Sequence, residues 1–367
     1  MSGCFFAGAG GTVMYRDKPG QANGASGRLA FYGLANWSKY TAQLTQSVMI
    51  DTPITADANG NIYFGFVVNG SNPLHLLSGI ARIGLGGKMK WVSATKAAGD
   101  SAITQVAMNC APAVSADGKS IYVAVSNGAA GDLLKLDSTT LATEAKVALV
   151  DPASGEAAFV SDLSSASPTI GPDGDVYYGV LENPFPEHDN RGWLLHFDGG
   201  LATLKTAGSF GWDDTVSIVP ASLIPSYAGK SSYLLMTKYN NYIDIDSLGD
   251  GQNKIAILDP NATQQDEYSA TPVTVMQEVQ TKLGPTRAQA GGVYEWCINS
   301  AAVDAHTGAV FAGSEDGHLY RWDLAANSLT QKLRLNAPRT EAYTPSVVGP
   351  DGTVYSINNA KLYAIGN

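Results

Sequence analysis

Four stretches of the chain carry more chemistry than a turn requires: Gly211-Trp212-Asp213-Asp214, Lys238-Tyr239-Asn240-Asn241, Tyr294-Glu295-Trp296-Cys297-Ile298-Asn299 and Arg339-Thr340-Glu341-Ala342-Tyr343. Each sets an aromatic ring beside carboxylates or amides. Ring faces stack on sugars, while amides and carboxylates donate and accept at fixed geometry. Trp212, Tyr239, Asn240, Asn241, Trp296, Asn299, Glu315, Glu341 and Tyr343 are therefore the candidate contacts for a small polar or carbohydrate ligand. Paired carboxylates divide acid and base roles when burial separates their pKa values, so Glu295 and Asp213 are the candidate catalytic carboxylates. Of five histidines, His188 alone lies in an irregular acidic loop, Glu182 to Arg191, and is the candidate acid or base. Hydrolase or lyase chemistry is what such equipment would do.

Plainer readings stand beside these. Trp212 and Trp296 would serve equally well as plugs between packed sheets. Asp213 and Asp214 fit turn caps, and Glu315-Asp316-Gly317 reads first as an ordinary turn. Glu295 is harder to set aside, because an acid between Tyr294 and Trp296 is costly unless paired or wet. His75, His196, His306 and His318 sit in strands or at turn edges, and no two share a metal-ligand spacing. No spacing suggests a Ser-His-Asp set, a P-loop or a dinucleotide fingerprint. Asp244, Asp246 and Asp250 would suit a hard cation such as calcium. However, Leu248 and Ile255 occupy places where an EF-hand needs oxygen ligands, and a solvated Gly-Asp turn is the stronger reading.

The elements that must hold these residues are legible as a repeat. Thr52-Pro53-Ile54 leads through Asn59-Gly60 to Ile62-Tyr63-Phe64, and Ala111-Pro112-Ala113-Val114 through Asp117-Gly118 to Ile121-Tyr122-Val123. Ser167-Pro168-Thr169-Ile170 and Thr344-Pro345-Ser346-Val347 open two further copies, and weaker copies begin near Val219 and Ser300. Each phrase parses as strand, tight turn, strand, with Asn-Gly or Asp-Gly supplying the positive φ of a short hairpin. A third strand follows each pair, as in Gly79–Ile83, Asp132–Asp137, Trp193–Asp198, Lys254–Asp259, His318–Asp323 and Lys361–Ile365. Gly27–Phe31 makes the seventh such strand, and the count gives the N-terminal stretch only the second strand of its unit. Seven units of about 50 residues, each a small antiparallel sheet, predict an all-β, seven-bladed β-propeller of four-stranded blades with almost no helix. The expected arrangement is a single domain over residues 1–367, with blades beginning near 1, 52, 111, 167, 219, 300 and 344. In that arrangement Glu295, Asn299, Asp213, Asn240 and Tyr343 are expected to face one pocket.

The phrase Ser/Thr-Pro-x-Ile/Val, Asp-Gly-x-Val-Tyr, Gly-x-Leu-Tyr-x-x-Asp resembles the bacterial PQQ-like propeller repeat family over nearly the whole chain. The resemblance implies the propeller fold and leaves activity open. Quinone-dependent dehydrogenases of that superfamily use eight blades, a vicinal cysteine pair and calcium-holding carboxylates. Here Cys4, Cys110 and Cys297 are far apart and seven units are counted, so PQQ is not an expected cofactor. Outer-membrane assembly factors with this repeat are non-catalytic scaffolds, and other seven-bladed propellers are hydrolases or lyases. Both kinds remain open for this chain.

Composition bounds the partners. The net charge is −10, which argues against a nucleic-acid backbone as ligand. No run of about 18 apolar residues is present, so no membrane-spanning helix is expected. Ser2-Gly3-Cys4 resembles the end of a trimmed lipoprotein signal, although Cys4 opening a buried strand to Gly8 is the simpler reading. Only 15% of residues are charged, against roughly 25% on average, and small polar residues abound. That balance suggests a periplasmic or secreted protein, with no intact signal peptide in the chain.

Overall fold

The computed structural model describes residues 3–84, 86–161, 166–242, 250–269, 271–285, 294–296, 298–338 and 344–366. Its strands form seven antiparallel sheets of three to five strands with few helices. The fold class is a mostly-β, seven-bladed propeller. The described chain divides by its internal contacts into two compact units. One comprises Met1–Leu149, Phe159–Ile170 and Gly199–Thr203; the other comprises Val150–Ala158, Gly171–Asp198 and Leu204–Asn367.

The repeat phrase has a direct physical reading in the first unit. Proline breaks the innermost strand into two short pieces, Val48–Ile50 and Thr55–Ala56, which both pair with Ile62–Val68. At the break, Thr52 Oγ1 accepts the Gly65 N–H at 2.8 Å and replaces the missing ladder bond. Gly65 has to be glycine there, since a Cβ would lie 2.6 Å from Thr52 Cγ2. The next sheet repeats the device, with Gln105–Val106 and Ala113–Val114 flanking Ala111-Pro112 and pairing with Ser120–Ser126. Inner strands Thr55–Ala56, Ala113–Val114 and Thr169–Ile170 lie side by side, as blades require. Hairpin turns follow the expected chemistry, with φ of 79° at Gly60 and 70° at Gly118.

Three expectations for this unit change. The first sheet has three strands, Gly3–Gly8, Thr12–Asp17 and Ser26–Ala30, so the expected third strand is preceded by two. Gly3–Gly8 is an edge strand with one side open, and Cys4 is exposed, not buried. A helix, Leu34–Ser47, also follows the first sheet. It holds no Gly or Pro, and Trp37, Tyr40 and Leu44 meet Phe31, Phe64 and Phe66 in one apolar cluster.

The second unit carries Val176–Val180 with Trp193–Phe197, then two four-stranded sheets, then a three-stranded one. Inner strands Ser217–Pro220, Ala302–Asp304 and Val347–Val348 again neighbour one another. Aspartates at the sites expected to end third strands accept backbone N–H groups just beyond them, Asp259 from Asn261 N at 2.9 Å and Asp323 from Ala326 N at 2.9 Å. Lys254–Gln265 and Thr274–Leu283 are the longest strands described. Their pairing shifts between Asp259 and Thr263, leaving Pro260, Asn261 and Ala262 as a bulge. Beyond it the hairpin folds back. Tyr268 Oη lies 3.4 Å from Lys254 Nζ, whereas 14 residues of straight strand would separate them by about 45 Å.

Candidate functional site

In the second unit, the loop Glu182–Arg191 is stapled from within. The buried Glu182 carboxylate accepts the N–H groups of Asn190 and Gly192, each at 2.7 Å. Burial raises its pKa against those two bonds and against His188. Arg191 is wholly enclosed. Its Nε and Nη2 donate to the Ser209 carbonyl at 3.1 and 2.7 Å, and Nη1 donates to the Asn240 carbonyl. The guanidinium lies 3.7 Å from the Tyr268 ring centre, 4.4 Å from Tyr239 and 5.4 Å from Phe210. Carbonyl dipoles and ring faces therefore meet a charge that water no longer reaches. Tyr239, expected as a ligand contact, is instead a wall of this cage.

His188 is buried in the same region and stacks on Trp193 with ring centres 3.8 Å apart. Nδ1 faces the Gly192 carbonyl at 3.0 Å and Nε2 faces Asp266 Oδ2 at 3.0 Å. Both ring nitrogens thus have hydrogen-bond partners inside the fold. Burial pushes the Asp266 carboxyl up, but His188, Ser209 and Ser269 outweigh it and hold the pKa at about 2. Ser209 Oγ donates to Asp266 Oδ1 at 2.5 Å and lies 3.3 Å from His188 Nε2. A serine, a histidine and an aspartate do meet here, contrary to the sequence reading. The geometry is not that of a nucleophile: the hydroxyl proton is directed to the carboxylate, and serine and aspartate share one imidazole nitrogen. A cleft of only about 40 Å³ reaches His188, so an acid–base role for it lacks room for a substrate.

The remaining candidates are knit together by backbone bonds. Asn240 Oδ1 accepts the Trp296 N–H at 3.2 Å, and its Nδ2 lies 3.4 Å from the Trp296 carbonyl. The Trp296 indole is fully buried among Val219, Ile257, Val310 and Trp322, which is the gap-filling position and not a ligand platform. Thr215 N donates to the Asn299 carbonyl at 2.7 Å, joining Asn299 to the Asp213-Asp214 turn. Glu315 N donates to the Glu295 carbonyl at 2.9 Å. Trp212 N donates to the Arg191 carbonyl at 3.0 Å. Trp212, Asp213, Glu295, Asn299 and Glu315 are all half-buried. Asp316 and Gly317 form the plain turn, with Asp316 Oδ1 accepting His318 N at 3.0 Å.

Asp214 turns inward. Its Oδ2 accepts the Thr237 hydroxyl at 2.5 Å and Lys238 N at 3.2 Å, whereas Oδ1 is buried without a hydrogen-bond partner. Burial raises its pKa to about 7 in spite of nearby Lys238 and Thr237. Asn241 donates its backbone N–H to Asn253 Oδ1 at 3.0 Å and its Nδ2 to Asp250 Oδ1 at 2.8 Å, whereas its Oδ1 is buried without a hydrogen-bond partner among the described residues. Asp250 is exposed and also accepts Gln252 N at 2.8 Å. Asp244, Asp246, Glu341 and Tyr343 lie outside the described residues. Among the described residues no three His, Cys, Asp or Glu side chains are grouped to hold a metal ion.

Sequence reading missed Arg191, Ser209, Asp266 and Tyr268 as parts of this frame. Asp266 and Tyr268 reach the Glu182–Arg191 loop only because the strand pair bends at the bulge between Asp259 and Thr263.

No family model matches the chain, and no curated protein matches it. Among solved structures it is similar to BamB from Moraxella catarrhalis, at 14% identity over 87% of this chain and 76% of that one, with a TM-score of 0.42. It is also similar to a europium-containing methanol dehydrogenase, at 13% identity over 97% of this chain and 80% of that one, with a TM-score of 0.48. Both are PQQ-like propeller repeat proteins. The likeness is one of fold. Among the described residues no helix is long and apolar enough to cross a membrane.

Proposed function

We propose that the second unit binds a small polar ligand, carbohydrate in class, on the half-buried set Trp212, Asp213, Glu295, Asn299 and Glu315. One observation carries this reading: Trp212 N bonds to the Arg191 carbonyl, Glu315 N to the Glu295 carbonyl and Thr215 N to the Asn299 carbonyl, while Arg191 and Trp296 both bond to Asn240, so the backbone beneath these residues is held before a ligand arrives. Trp212 offers a ring face, and the carboxylates and amide offer directional partners to hydroxyls. Low charge content fits a periplasmic or secreted protein, which cell fractionation would test.

Titration with a panel of soluble oligosaccharides, read by tryptophan fluorescence and calorimetry, tests the proposal. Trp212→Ala and Glu295→Gln should each weaken binding about tenfold, roughly 1.4 kcal/mol, without lowering the melting temperature. Turnover of the bound sugar that Glu295→Gln abolishes would extend the reading to hydrolase or lyase chemistry. If no oligosaccharide binds at millimolar concentration, the non-catalytic scaffold reading replaces this one.

A further inference from the structure

The folded-back hairpin of the second unit leaves a cleft at its elbow. Pro260, Asn261 and Ala262 leave the strand ladder there, and the loop Ser226–Ser231 crosses opposite them. The space between measures about 440 Å³, within the range of small-molecule sites. Its base is tightly built. Asp259, buried, accepts the Tyr227 hydroxyl at 2.5 Å, the Ser231 hydroxyl at 2.6 Å and Asn261 N at 2.9 Å. Tyr227 Oη in turn accepts Ser231 N at 3.0 Å. The loop needs Gly229 to follow this path, because a Cβ there would lie 2.2 Å from Tyr227 Oη.

From this geometry we infer a second binding site, for a neutral monosaccharide, at the elbow. The Tyr227 ring, fixed at its hydroxyl end, supplies a stacking face, with Ala262 and Val279 adding apolar wall for the C–H side of a sugar ring. Asn261 and Gln277 place amides on the same wall. Asn261 Nδ2 donates to Ser231 Oγ at 3.0 Å, which orients its carbonyl oxygen as an acceptor for a sugar hydroxyl. Lys230, Asp259 and Glu278 all line the cleft, so the wall carries both signs of charge and does not select an ion. The site is independent of the loop residues proposed above and stands or falls apart from them.

Saturation-transfer NMR of the full chain with D-glucose, D-galactose and N-acetyl-D-glucosamine tests it. At least one sugar should receive saturation, and Asn261→Ala and Gln277→Ala should each lower its affinity about fivefold. Both residues are exposed and outside the apolar core, so the variants are expected to fold, which the melting temperature checks. Absence of transfer to all three sugars, or equal binding by both elbow variants and wild type, would overturn the site. Loss of binding in Glu295→Gln alone would also overturn it, and would place the sugar on the loops instead.

Discussion

Two buried carboxyl groups of the second unit have opposite pKa shifts, and the shifts have opposite consequences for stability. Asp266 is held at about 2, below an ordinary aspartate, so the folded state binds its proton less readily than the unfolded chain. Its stabilisation is full above the unfolded value and disappears as pH falls through about 2. Asp266→Asn leaves His188 buried without its anion and should cost about 3 kcal/mol near neutrality by chemical denaturation. That difference should shrink between pH 4 and pH 2. Asp214 behaves the other way. With a pKa near 7, its contribution is full below the unfolded value of an aspartate and is lost as pH rises through 7. Urea melts of Asp214→Asn should therefore show a flatter pH dependence than wild type, and a gain of about 3 kcal/mol at pH 8. Were the two proteins to lose stability in parallel between pH 4 and pH 7, Asp214 would not be the buried acid described. Neither group was legible from its own residue type. Asp213 and Asp214 look alike in sequence, and only the coordinates show that one is half-buried while the other points at Thr237.

At the scale of elements, the strands were legible because each repeat states its turn chemistry locally. Asp-Gly and Asn-Gly fix the hairpin, and where Pro53 interrupts the inner strand the Thr52 side chain accepts the Gly65 N–H. The helix Leu34–Ser47 was not legible against a repeat expectation that allots that stretch to strands. The fold-back of the long hairpin was hidden for a different reason. A three-residue bulge carries no strong signature, and its result is a contact between Asp266 and His188, 78 residues apart. The turn that carries Trp212 and Asp213 is likewise positioned by packing across elements. Gly179 lies beneath it, and a Cβ there would sit 2.1 Å from the Gly211 carbonyl oxygen. Gly179→Ala should destabilise the protein by about 2 kcal/mol and displace that turn, so weaker ligand binding should accompany the loss. A variant as stable as wild type would show that the turn has slack, and the claim of a rigid frame would fail.

For the whole molecule, the number of sheets and their chain order were written in the repeat, because each blade is a local unit that recurs. Function was not, because it depends on which side chains of separate repeats meet. Of the described residues singled out for catalysis or ligand contact, Asn240 and Trp296 bond to each other, Tyr239 walls the Arg191 cage, Asn241 bonds to Asn253 and Asp250, His188 belongs to an enclosed pair, and five are half-buried. Circular dichroism should show a strand-dominated spectrum with a small helical contribution, whereas a dominant helical spectrum would contradict the fold. The most direct measurement of the central claim is a crystal structure with the tightest-binding oligosaccharide from the panel. Density for the sugar stacked on Trp212, with hydroxyls within hydrogen-bond distance of Glu295 or Asp213, is the expected result. Sugar found only away from these residues, or none at saturating concentration, would contradict it.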